Sequence, residues 1–183
     1  MTRRLSIVLY LCVLLLLSCA SSASSGEQVV DLKASDGTKL KATYFSAGKP
    51  GPGVLLLHQC NRQRKVWDGL ARELSAEGIN VLTFDYRSFG ESEGEPFAKL
   101  PPDKANEVFQ KMPTDIDMAY AYLIAQPGVN RDVIGIGGAS CGVNNAIQAA
   151  RRHPEVKSLV LLSGNTDLNG RNFMRSSAAP PTF

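Results

Sequence analysis

The sequence predicts a parallel, doubly wound α/β sheet entered through an antiparallel hairpin. Three observations carry that expectation. Apolar runs of strand length alternate with helical patterns across short connections, the order expected of parallel strands joined by crossover helices. Val54-Leu-Leu-Leu-His58 is apolar at successive positions, as a central strand covered on both faces requires. Ahead of it, Gln28–Ala34 and Leu40–Phe45 alternate with period two around Asp36-Gly37, a hairpin turn.

The remaining elements follow in order. Trp67, Leu70, Ala71 and Leu74 share one helical face, and Gly78 ends that helix. Asn80–Phe84 supplies the next strand. Residues 86–113, rich in glycine, glutamate and proline, read as a long loop and the rim of a substrate pocket. Thr114 reads as the cap of a helix that presents Ile116, Ala119, Tyr120, Leu123 and Ile124 on one side and stops at Pro127-Gly128. A strand Val133–Gly137, a helix Cys141–His153 closed by Pro154, and a strand Ser158–Ser163 complete the pattern. Residues 28–168 thus form the domain, and 169–183 read as an irregular tail.

At 183 residues, 44% hydrophobic and 20% charged, the chain is the size of one globular domain. Its formal charge is +3, about +1 without Arg3 and Arg4, and no basic stripe is interleaved with aromatics. No nucleic-acid partner is expected. Residues 1–19 read as an export signal, Arg3-Arg4 followed by an apolar run from Leu5 to Leu17 that is short for a bilayer span. Leu16-Leu17-Ser18-Cys19 resembles the bacterial lipoprotein signal, in which Cys19 becomes the lipidated first residue; plain secretion is the alternative. Residues 20–27 then read as a flexible tether. The expected location is the bacterial cell envelope, lipid-anchored to the membrane, or otherwise periplasmic or secreted.

The stretch Gly135–Gly142, GIGGASCG, holds two adjacent nucleophile candidates. A strand that turns at once into a helix through Gly138-Ala139-Ser140-Cys141-Gly142 fits the G-x-S-x-G nucleophile elbow. The central residue is strained, so the residues two before and two after it must be small. Gly138 and Gly142 meet that condition for Ser140. Around Cys141 the flanking residues would be Ala139 and branched Val143, so Ser140 is favoured, with a Cys141 nucleophile and a turn without chemistry as alternatives. Dinucleotide spacing and a following Lys-Ser or Lys-Thr are both missing, so no nucleotide cofactor is expected, and the cysteine spacing gives no metal site.

With these residues in place, the sequence resembles the α/β-hydrolase superfamily, near its dienelactone-hydrolase-like and lipase- or esterase-like members. His58-Gln59-Cys60 resembles the turn that carries half of the oxyanion hole, with Gln59 at the usual glycine. Asp85-Tyr-Arg-Ser-Phe-Gly90-Glu-Ser92 resembles the turn D-x-R-G-x-G-x-S, with Ser88 at a glycine position. The resemblance implies that Ser140 attacks an ester, thioester or amide carbonyl of a small acyl substrate. It implies oxyanion donors at the backbone N–H groups of Cys60 and Cys141, and a structural role for His58. It also brings Cys60 and Cys141 near each other; two free, half-buried thiols are expected, with a disulfide as the alternative.

The family order is serine, acid, histidine. Of the two histidines, His58 precedes Ser140, and His153 ends the elbow helix about 15 Å away. Asp167 is a weak acid candidate. The resemblance covers about two-thirds of a fold of eight strands and breaks off after the sixth, before the usual acid and histidine. It therefore implies a chain that is weak or inactive alone, and a bare apolar sheet edge at Ser158–Ser163. A non-catalytic lipoprotein that retains the scaffold is the competing reading, and a Cys141-dependent dienelactone-hydrolase-like enzyme is a third.

Overall fold

The computed structural model describes residues 26–176 and 178–183; the export signal, Cys19 and most of the tether lie outside them. Among the described residues six strands form one sheet: β1 (Gly26–Lys33), β2 (Lys39–Ser46), β3 (Gly51–Leu57), β4 (Asn80–Phe84), β5 (Val129–Ala139) and β6 (Val156–Leu162). Their spatial order is β1-β2-β4-β3-β5-β6. β1 pairs antiparallel with β2, and β2 with β4, while β4, β3, β5 and β6 run parallel. The tether ends sooner than expected, because Gly26 and Glu27 already pair with Ser46 and Phe45.

Helices α1 (Asp68–Ala76), α2 (Pro102–Ala125), α3 (Cys141–Arg152) and α4 (Leu168–Met174) complete the fold. Alternation along β3 sends Leu55 and Leu57 to a core shared with Ile116, Ala119 and Leu123 of α2 and Val143, Ala146 and Ile147 of α3. Leu56 faces the other way, toward Trp67 and Ala71. A central strand apolar at every position is what two covered faces demand. The stripe on α1 is narrower than expected. Leu70 is exposed, and Trp67 belongs to a 3-10 turn, Arg64–Trp67, ahead of the helix.

The largest correction concerns α2. It starts at Pro102, twelve residues before Thr114, so the second half of the expected loop is helical. Pro102 suits a first turn, where its missing N–H has no partner to lose. Pro113 lies inside the helix, and Thr114 is no cap; its hydroxyl donates to the Lys111 carbonyl at 2.8 Å. Val108 and Met112 carry the buried stripe of Ile116, Ala119 and Leu123 back across the proline. Burial of that stripe outweighs the local break.

The C-terminal tail is the second correction. α4 occupies its first part, with Asp167 as cap. Pro181–Phe183 then lies parallel to β6: Leu159 N–H donates to Pro181 O, Leu161 N–H to Phe183 O, and Phe183 N–H to Leu159 O, each at 2.9 Å. The edge of β6 is thus paired over this stretch rather than bare, though Val160 and Leu162 keep exposed side chains. Among the described residues no helix is long and apolar enough to cross a membrane.

Candidate active site

β3 and β5 are neighbours, with Leu57 beside Gly138, and the strand order reverses at this point. Open α/β sheets form their ligand crevice here, beyond the carboxyl ends of the strands. The chain leaves β3 into His58-Gln59-Cys60 and leaves β5 into Ser140-Cys141. Two loops distant in sequence therefore meet at one rim.

Ser140 is the single residue between β5 and α3. Its backbone sits at φ 53° and ψ −118°, a conformation rarely adopted outside glycine, and its side chain is exposed. Its N–H donates to Leu162 O at 2.9 Å, and its carbonyl accepts from Val143 N–H at 3.0 Å. A Cβ on Gly138 would collide with the Gly142 carbonyl, and one on Gly142 would stand 2.5 Å from Leu57 O. Both glycines are required by close backbone approach. A third was not foreseen. A Cβ on Gly164 would strike the Ser140 carbonyl and the Val143 side chain, and no spacing rule in the sequence marks that position.

Cys60 and Cys141 form a disulfide, with Cα atoms 5.8 Å apart, which corrects the expectation of free thiols. The fold decides this by bringing the two rims together. With its sulfur bonded, Cys141 has no thiolate to offer as a nucleophile. Among the described residues neither the Cys60 nor the Cys141 N–H donates a hydrogen bond, and Cys141 heads α3, where the first N–H groups have no partner within the helix. Two amides without a partner among the described residues, on residues tied together by the bridge, thus lie on the rim that carries Ser140.

The turn Asp85–Ser92 supports the rim from below. The buried Asp85 carboxylate accepts the Arg64 backbone N–H at 2.6 Å and pairs with the Arg64 guanidinium. Ser92 Oγ donates to Asp85 O at 2.6 Å. Gly90 has φ 54° and packs so closely on the Asp85 carboxylate that no side chain fits. Ser88 takes φ 67° where the related motif has glycine. Arg87 donates to both oxygens of Asp115 at 2.6 Å, anchoring α2. From α2, Phe109 reaches the crevice.

His58 is fully buried. Its Nε2 accepts the Tyr86 N–H at 3.2 Å, so Nδ1 carries the proton and donates to Gln59 O at 2.7 Å. Burial pushes its pKa below the ordinary value. His153 lies at the far end of α3, with Nε2 2.9 Å from Asp117 Oδ1 and its ring stacked on Tyr120. Neither imidazole is free for Ser140. Asp167 Oδ1 accepts from Gly170 N–H at 2.7 Å and from Gln148 Nε2 at 3.0 Å, which makes it a helix cap on the crevice wall rather than the partner of either histidine.

A cavity of about 430 Å³ opens beside the disulfide, between Phe109, the α3 residues Asn144 and Asn145, and the segment Asn165–Asp167. Among the described residues no group of three or more acidic, histidine or cysteine side chains could hold a metal ion.

A family model described as serine aminopeptidase, S33, matches residues 48–180. The chain belongs to that family. Its fold is that of the α/β hydrolases. A solved α/β hydrolase from Penicillium superposes with a TM-score of 0.65 at 23% identity, over 76% of this chain and 46% of that one. An esterase from Pyrococcus furiosus gives a TM-score of 0.61 at 25% identity, over 78% and 50%. A thiohydrolase from Aspergillus aculeatus is 32% identical over 126 residues, 68% of this chain and 37% of that protein. A thiohydrolase from Arthrinium phaeospermum is 30% identical over 72% of this chain and 41% of that protein. The S33-family chain thus spans less than half the length of these two relatives.

Proposed function

We propose that this S33-family chain carries the nucleophile and oxyanion hole of a hydrolase acting on small carboxylic esters or thioesters. Ser140 attacks the acyl carbon, and the Cys60 and Cys141 amides receive the oxygen as it becomes negative. Loss of one such donor typically costs about 3 kcal/mol of transition-state stabilisation. The α3 dipole adds to the same field. The observation that carries this reading is the strained, exposed serine beside two unpaired, covalently linked amide donors. The printed names of the thiohydrolase relatives support an acyl substrate. The cavity beside Cys141 receives it.

Neither His58 nor His153 serves as the general base, because both are engaged elsewhere. Alone, the chain turns over on the order of 10⁶-fold below a complete triad enzyme. A scaffold that binds acyl compounds without cleaving them is the second reading, favoured by the same two histidines. We also place the protein in the cell envelope, anchored through Cys19; a disulfide at the crevice suits an oxidising compartment.

External imidazole can substitute for an absent base. The chain is incubated with a p-nitrophenyl ester with and without imidazole, and the Ser140 peptide is weighed. An acyl adduct that requires imidazole and disappears in Ser140→Ala supports the hydrolase reading. An unmodified Ser140 in every condition leaves the scaffold reading.

A further inference from the structure

We propose that the Cys60–Cys141 disulfide is a thiol–disulfide exchange site, opened in the folded protein by a dithiol that attacks Cys60 Sγ and expels Cys141 as thiolate. Three observations converge on it. The bridge joins two separate elements, the turn after β3 and the first residue of α3, 81 residues apart. Both cysteines are half-buried and line the cavity of about 430 Å³, so a small thiol has a path to the bond. The third is an asymmetry between the two sulfurs. Cys141 heads a twelve-residue helix, where its own unpaired N–H and the helix dipole favour a thiolate, whereas Cys60 belongs to a turn and lies beside that helix end rather than on it. The better-stabilised thiolate departs more readily, which selects Cys60 as the sulfur attacked.

The exchange balances. One thiolate of the dithiol bonds to Cys60 Sγ as the Cys60–Cys141 bond breaks, and its electron pair stays on Cys141. The second thiol, its proton given to water, displaces Cys60 and leaves the reagent as an internal disulfide. Two electrons have reached the protein, and Cys60 takes up a proton. In the hydrolase reading, on which this consequence alone rests, opening the bridge unties one amide donor from the other and makes the oxyanion hole sensitive to redox state.

The test counts thiols. The full chain is treated with excess dithiothreitol, with and without urea, and reacted with a maleimide. A gain of two reactive thiols without urea is expected; a gain seen only in urea overturns the proposal by showing a sealed structural bridge. The variants Cys60→Ser and Cys141→Ser are then alkylated with iodoacetamide across pH. The inflection for Cys141 is expected at least about one unit below that for Cys60. The reverse order overturns the assigned direction of attack. The thiol count needs no variant to fold, and neither readout needs Ser140 or turnover. Failure here therefore leaves the hydrolase reading standing, and failure of Ser140 acylation leaves this site standing.

Discussion

The Asp85 carboxylate pairs with the Arg64 guanidinium where both side chains are shut off from solvent, at 0% and 1% exposure. The same carboxylate accepts Glu91 N–H at 2.9 Å, and Arg64 Nε donates to Thr43 Oγ1 at 3.0 Å. One charge pair thereby locks the turn ahead of α1 to the turn after β4. Removing one partner of a buried pair strands the other charge, which costs far more than the pair's net worth. Asp85→Asn is expected to lower the unfolding free energy by about 3 kcal/mol in urea titration. An unchanged midpoint would show that Glu91, which also pairs with Arg64, neutralises it unaided.

The elbow stores strain at Ser140. Replacement by glycine removes the steric cost of φ 53°. Ser140→Gly is therefore expected to stabilise the fold by about 1 kcal/mol while abolishing any acylation. Gly138→Ala should act in the opposite direction, since its Cβ meets the Gly142 carbonyl. Urea titration of the two variants side by side decides it: a destabilised Ser140→Gly refutes the strain.

His58 gives the fold a pH dependence of known sign. Burial holds its pKa below the ordinary 6.5. The folded state thus binds fewer protons than the unfolded state once the pH falls below that value. The contribution of His58 is complete above pH 6.5 and is lost progressively as the pH falls from there toward the folded pKa. With only two histidines in the chain, an NMR titration of His153→Gln isolates its ring signals. A midpoint at or above 6.5 would contradict the buried neutral form.

Much of this architecture is legible in local chemistry. The hairpin follows from period-two alternation around Asp36-Gly37, and β3 from an unbroken apolar run. The glycine frame of Ser140 follows from the steric demand of one sharp turn. The first twelve residues of α2 were not legible, because two prolines and Pro113 argue locally against a helix that burial of Val108 and Met112 stabilises. Gly164 escaped for a related reason. Its close approach to Ser140 O involves a chain segment more than twenty residues away.

The sequence by itself determined the order of strands and helices and the place of the sharp bend at Ser140. These depend on the conformational limits of neighbouring residues, which composition and spacing record. Only the tertiary structure decided that Cys60 and Cys141 are bonded, that both histidines are spoken for, and that Pro181–Phe183 pairs with β6. Those outcomes depend on which distant segments are brought within a few ångströms of one another. Packing sets those distances, and no local pattern in the chain encodes them.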